Sequence, residues 1–262
     1  MCRRKGQFTD AQPFLENAVA IASQSGDRIG ETKATRTLGR LAWNLKDTAK
    51  ATAILTNATE TARQLGLSSV LCECLDSLGS IQVEEQRPEQ AEQLFQECVS
   101  ISRSTNQELM LARALTGLGD IRRERGELSE AEAYLEESCA ILERISFQGW
   151  DCIFSASSLA KVKEAQGDKE PALLWYEKAI VESRTLGQKL ELSEWLTEKG
   201  RILQETQRYA EAALCFEASL VLDQGLENAE DVEMDIERLV SIPKTGLQIR
   251  DGRDDVGAAN LI

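Results

Sequence analysis

Histidine is absent from all 262 residues. That removes the commonest general base and the commonest metal ligand together. No phosphate-binding loop ending in Gly-Lys-Ser/Thr is present, and no dinucleotide fingerprint follows a strand pattern. Carboxylates are abundant but spread along the chain, so a paired-carboxylate hydrolase has no obvious centre. Catalysis is therefore not expected, and neither is a cofactor. No apolar run approaches the roughly 18 residues that span a bilayer. The start, MCRRKGQFTDAQ, has positive charge but no apolar stretch behind it, so it is not a secretory signal. Basic residues are the scarcer sign, 30 against 44 acids, giving a net charge of −14. Such a surface repels phosphate backbones and anionic lipid, which argues against nucleic acid and membrane as partners. Segments of alternating β-branched residues are missing too, so no sheet is expected.

Seven cysteines are present, an odd number, and most occupy small apolar positions. They read as reduced core residues of a cytoplasmic protein. Cys72 and Cys74 are the one close pair. On a helix, residues two apart point about 200° apart, so these two cannot chelate one metal.

What the chain does contain is a repeat. Ala11, Ala51, Ala91, Ala131, Ala172 and Ala212 are spaced 40, 40, 40, 41 and 40 apart. Four residues after each comes a bulky side chain: Leu15, Leu55, Phe95, Leu135, Tyr176, Phe216. Three further on comes a small one: Ala18, Ala58, Cys98, Ser138, Ala179, Ser219. A fixed period of this size means stacked supersecondary units. Each unit reads as two antiparallel helices. In residues 107–146, Leu111, Leu115, Leu118 and Ile121 form one apolar stripe. Gly126 ends that helix, and Ser129 with Glu132 reads as a capping box for the next.

Turn chemistry recurs as well. Gly26, Gly66, Asn106 and Gly187 share one repeat position and suit a left-handed helix end. In the lengthened interval the corresponding glycine is Gly149. Turns inside the pairs carry Gly6, Gly126 and Gly167, but Lys46, Gln86 and Gln207 elsewhere, which predicts a tighter or less strained geometry there. Residues 1–28 read as a trailing half-repeat, a lone second helix after a turn at Gly6. Five complete pairs span 29–225. Residues 226–242 predict a capping helix with Val232, Ile236, Leu239 and Val240 on its apolar face, and 243–262 a disordered tail. The absent first helix suggests a fragment, with an uncapped amino-terminal end able to pair with a second copy.

A Leu-Gly pair late in each first helix completes the pattern: Leu38-Gly39, Leu78-Gly79 and Leu118-Gly119, with variants Leu159-Ala160 and Lys199-Gly200. Twelve residues later comes the repeat alanine. This resembles the tetratricopeptide repeat over about residues 6–225. The resemblance implies an all-α, right-handed superhelical solenoid of antiparallel helix pairs. The usual period is 34. The longer variety here is similar to arrays in cell-polarity adaptors and to sensor arrays of signal-transduction NTPases.

The resemblance also implies that positions 2, 5, 9, 12 and 13 of each first helix line a concave groove. In the first complete unit these are Lys33, Arg36, Arg40, Trp43 and Asn44. Lys161 and Arg201 hold position 9 further along. Three cations beside an indole suit an acidic or carboxy-terminal peptide segment, whereas Glu73, Asp76 and Glu84 next door would repel it. The same stripe also reads as an ordinary solvated helix face. Positions 6 and 9 carry no asparagine, which argues against the family's chaperone-tail binding. Trp175 and Trp195 read as core, and Trp150, in the lengthened turn, as exposed. The function expected is a protein-interaction scaffold or adaptor. The alternative is a ligand-sensing array from a signalling NTPase.

Overall fold

The computed structural model describes residues 2–226 and 228–242; the tail expected at 243–262 lies outside them. All regular structure among the described residues is helical. In order these helices are α1 (Cys2–Ser25), α2 (Arg28–Asn44), α3 (Thr48–Gln64), α4 (Ser68–Glu84), α5 (Pro88–Ser104) and α6 (Glu108–Glu124). Then come α7 (Leu128–Arg144), α8 (Trp150–Ala165), α9 (Lys169–Thr185), α10 (Lys189–Glu205), α11 (Tyr209–Leu226) and α12 (Ala229–Ser241). The fold is an all-α repeat of helical hairpins, the solenoid class. The chain divides between Arg125 and Gly126 into two compact units. In the first, α2 packs with α3 and α4 with α5, while α1 lies on α2 and α6 on α4 and α5. In the second, α8 pairs with α9 and α10 with α11; α7 lies on α8, α9 on α10, and α12 on α11.

The repeat register is the core register. Ala51, Ala91, Ala131, Ala172 and Ala212 are fully buried, as are the bulky residues Leu55, Leu135, Tyr176 and Phe216. The Leu-Gly pairs have a steric reason. A Cβ on Gly39 would meet Leu55 at 2.7 Å, one on Gly79 would meet Phe95 at 2.6 Å, and one on Gly200 would meet Phe216 at 2.7 Å. Each glycine thus lets the bulky residue of the following helix press against its backbone. The first helix is the exception to burial. On α1, Leu15 is half-buried, Ala18 is exposed, and Phe14 and Ile21 are 76% and 63% exposed.

Turns are more uniform than the sequence suggests. Lys46, Gln86 and Gln207 sit at φ 65°, 59° and 62°, the same left-handed conformation as Gly126 and Gly167 at 76° and 87°. The expected relaxed geometry is absent because the hydrogen bonding demands this one. The residue after each left-handed position donates its amide five residues back: Asp47 to Ala42 at 3.0 Å, Arg87 to Gln82 at 2.8 Å, Arg208 to Leu203 at 2.8 Å. This closes the helix in the Schellman manner whatever the side chain. The lengthened turn is likewise corrected. Ser146, at φ 51°, takes the left-handed place, and Phe147 donates to Leu142 at 3.0 Å. Gly149, at φ 172°, is extended and serves as the N-cap of α8.

Two further local expectations fail. Gly6 is no turn, because α1 runs through it. Ser129 does not cap α7, which begins one residue earlier with Glu127 as N-cap and no side-chain bond there. Glu132 instead reaches α8, where Lys163 and Gln166 both donate to it. Finally, α12 does not bury the face its apolar residues mark. Ile236 and Val240 are exposed, while Leu239 packs against the core and Asp235 is 1% exposed.

Candidate functional site

Lys33, Arg36, Arg40 and Trp43 all stand on α2, at helical spacings of three and four. Two of them are fixed by acids on α4. Arg36 Nη1 lies 2.7 Å from Glu73 Oε2. The Trp43 Nε1–H donates to Glu84 Oε2 at 2.8 Å, and Lys46 Nζ approaches the other oxygen of Glu84 at 3.8 Å. Lys33 and Arg40 are exposed, and neither pairs with a carboxylate among the described residues. The acids read from sequence as a repulsive neighbour are therefore partly neutralised by this stripe itself.

The other two sequence-derived cations lie in the second unit and are engaged. Lys161, on α8, holds Nζ 4.9 Å from the Trp195 ring centroid and 4.0 Å from Glu194. Arg201, on α10, is bonded by Glu164 of α8, by Glu198 at 3.0 Å and by Glu205 at 2.8 Å. Burial opposes its charge, but the bonds from Glu164 and Glu198 outweigh that and hold the guanidinium protonated beyond its ordinary range. Arg201 is a pairing node between α8 and α10.

The tryptophans divide. Trp195 is buried beside Tyr176, as expected, with ring centroids 6.2 Å apart. Trp150 is half-buried and stacks on Phe154 at 5.9 Å, so its expected exposure is only partial. Trp175 is half-buried, with Lys178 Nζ 4.0 Å over its ring. It faces a largely apolar cavity of about 310 Å³ beside Phe147, Cys152 and Val181. That cavity sits where the repeat gains its extra residue.

Two residues that sequence reasoning missed are Asp223 and Asp235. Both are buried, at 2% and 1% exposure, and both line a cavity of about 320 Å³ between α10, α11 and α12, most of whose lining residues are polar or charged. Ser193 Oγ donates to Asp223 Oδ2 at 2.6 Å, and Arg238 Nη1 donates to Asp235 Oδ1 at 3.1 Å. Ser219 joins Ser193 at 3.0 Å and Thr197 at 2.7 Å. Asp223 lies one helical turn after the last repeat serine, Ser219, and Asp235 stands beside the apolar face of α12, three residues after Val232 and four before Leu239. No pattern signalled the pair.

No three His, Cys, Asp or Glu residues among the described ones are grouped to hold an ion. Cys72 and Cys74 have different surroundings: Ser102 Oγ donates to Cys72 Sγ at 3.4 Å, while burial pushes the Cys74 thiol up to about 12. No helix among the described residues is long and apolar enough to cross a membrane.

A family model, the MalT-like TPR region, matches residues 1–180. The chain belongs to the MalT-like TPR family. No curated protein matches it by sequence. Solved structures place this MalT-like TPR chain among helical repeats. BtubC (BKLC) from P. vanneervenii superposes with a TM-score of 0.70 at 18% identity, over 85% of this chain and 91% of that one. A Rap protein complexed with Competence and Sporulation Factor gives 0.65 at 18%, over 94% and 73%. A signal transduction ATPase with a tetratricopeptide repeat sensor from Pyrococcus horikoshii gives 0.64 at 15%, over 94% of this chain but 37% of that one. At these identities the likeness is one of fold.

Proposed function

We propose that this chain is a protein-interaction module that holds an acidic segment of a partner against the α2–α4 face and does no chemistry itself. One observation carries the reading. On α2, Trp43 is fixed by Glu84, while Lys33 and Arg40 on the same stripe are exposed without carboxylate partners among the described residues. Such a face offers two available cations around an already oriented indole, so little side-chain ordering remains for binding to supply. The Rap relative supports the general mode, since that protein is complexed with a factor. The reading places the module in the cytoplasm as an adaptor.

The test is capture of partners from native extract, comparing parent with Lys33→Glu/Arg40→Glu. Arg36 is left intact, because reversing it would set two acids together at Glu73. The reading expects the double variant to lose the partner and the parent to release it as salt is added. Undiminished recovery by the variant at low salt would refute it. A second reading, a sensing array of a larger signalling protein, draws on the Pyrococcus ATPase, which carries a tetratricopeptide repeat sensor. A nucleotide-binding domain encoded in frame would favour it.

A further inference from the structure

The cavity between α10, α11 and α12 is a place where the chain buries negative charge without finishing its hydrogen bonding. Asp223 Oδ1 and Asp235 Oδ2 are both shielded from solvent, and neither has a hydrogen-bond partner. A buried acceptor left bare is costly and calls for a donor. Both residues line the cavity, so a donor seated there would approach these two carboxylates.

Charge accounting around them points the same way. Glu198 is matched by Arg201 at 3.0 Å, Glu194 is 4.0 Å from Lys161, and Asp235 has Arg238. Among the described residues, Asp231 accepts an amide hydrogen bond from Asn228, and Asp223 accepts hydroxyl bonds from Ser193 and Ser219; neither is paired with a cation. The cavity is thus short of positive charge. The acids are not grouped to hold a metal ion. Leu190 and Met234, about half exposed, give the opening apolar walls. The complement is a cation with several N–H donors at the tip of an apolar stem. A primary ammonium has three donors in one compact group, and methylenes suit Leu190 and Met234.

We infer that this cavity binds a primary alkylammonium group, with Asp223 and Asp235 as its carboxylate acceptors and Leu190 and Met234 against its methylene stem. The group is shared by free polyamines and by lysine side chains. The inference does not rest on the α2 face. A proton linkage accompanies it. Burial raises the Asp223 carboxyl above its ordinary value, the Ser193 bond opposes this, and Asp235 and Asp231 add to it. The groups facing it are Glu194 and Glu198 from α10, and Asp231, Asp235 and Arg238 from α12. The ligand needs Asp223 ionised, so affinity rises with pH from the acid side towards neutrality.

The experiment is calorimetric titration of the full chain with spermidine and, separately, with a short neutral peptide carrying one lysine. Magnesium chloride at matched ionic strength is the control. Saturable binding is expected, weakened at least tenfold by Asp223→Asn and strengthened as pH rises. Tighter binding of spermidine identifies a free polyamine as the source, and tighter binding of the peptide a partner's lysine; either supports the site. Should Asp223→Asn disturb the helical signal, Thr197→Val keeps the test open, with weaker binding again expected. Absent binding of both probes, equal displacement by magnesium, or affinity unchanged in a folded variant overturns the inference.

Discussion

Replacing Gly79 with alanine should loosen the first unit, although alanine is the better helix former. Glycine to alanine inside a helix normally gains about 1 kcal/mol. Here the added Cβ would lie 2.6 Å from Phe95 Cε1 and 2.8 Å from Cζ. A ring at the end of a free side chain would swing away, but this one has no room. On its other edge, the Cβ position of Gly117 is 2.6 Å from Cε2 and 2.7 Å from Cζ. Phe95 is therefore held between α4 and α6, and retreat from one helix drives it into the other. Overpacking costs about 1–3 kcal/mol, and a trapped ring belongs near the top of that range. The net loss is about 2 kcal/mol, roughly a 30-fold rise in local opening. Repeat arrays open segment by segment, so amide hydrogen exchange across α4, α5 and α6 is the suitable assay. Gly225→Ala is the control, since nothing lies within 4 Å of its Cβ position, and it should gain up to about 1 kcal/mol. In a Phe95→Leu background the Gly79→Ala penalty should vanish. Exchange in Gly79→Ala as slow as in the parent would refute the trapped-ring argument.

Four other outcomes are expected. Ala131→Leu should cost about 1–3 kcal/mol in thermal melts, whereas a change at the exposed Glu136 should cost almost nothing. Amides of α1 should exchange fastest among the repeat helices, because its Ala18 is exposed where the equivalent alanines elsewhere are buried; strong protection in a monomer would contradict this. Asp223→Asn should stabilise the unliganded chain at neutral pH. Its raised carboxyl value means the folded state holds the proton more tightly, so its contribution is full below the unfolded value near 3.9 and is lost as pH climbs through the folded one; melting curves of the two proteins should diverge upward from about pH 4. Glu132 has the opposite sign. The Lys163 and Gln166 bonds hold it below its ordinary value, so the α7–α8 contact should weaken as pH falls through that lowered value, and Glu132→Gln should abolish the acid dependence seen by exchange there.

The fold was legible because it repeats. One alanine, one bulky and one small residue per unit mark the buried face, and six copies leave little freedom in register. Turns were legible only where glycine or asparagine announced them. Lys46, Gln86, Ser146 and Gln207 adopt the same conformation without advertising it, since the bond closing the helix comes from the backbone. A repeat-based reading would have found Ser146, which falls 40 residues after Asn106, ahead of Gly149. Capping was misread at Ser129 for a related reason: the composition fits a capping box, but the N-cap is Glu127, two residues sooner. At α12 the apolar spacing was real and its meaning was not. An amphipathic pattern assigns the buried face on the premise that a buried position is apolar, and Asp235 breaks that premise.

Charge pairing was the least legible feature, and its structure explains why. Trp43 meets Glu84 across 41 positions, and Arg201 meets Glu164 and Arg36 meets Glu73 across 37 each. These separations are close to one repeat, because neighbouring hairpins stack and present equivalent helices to one another. Cations on a first helix therefore find acids on the next or preceding unit, and a search confined to i,i+4 neighbours misses them. The same geometry decides which charges remain for a partner. Arg36 and Arg201 are consumed inside the stack, while Lys33 and Arg40 are not. Beyond α11 the repeat gives way to a different helix. α12 occupies that place and brings Asp231 and Asp235 with only Arg238 among the groups lining the cavity. The bare oxygens of Asp223 and Asp235 follow from that substitution: a pairing scheme built on stacked repeats is left incomplete where the repeat stops, and an incoming ammonium is the simplest group that completes it.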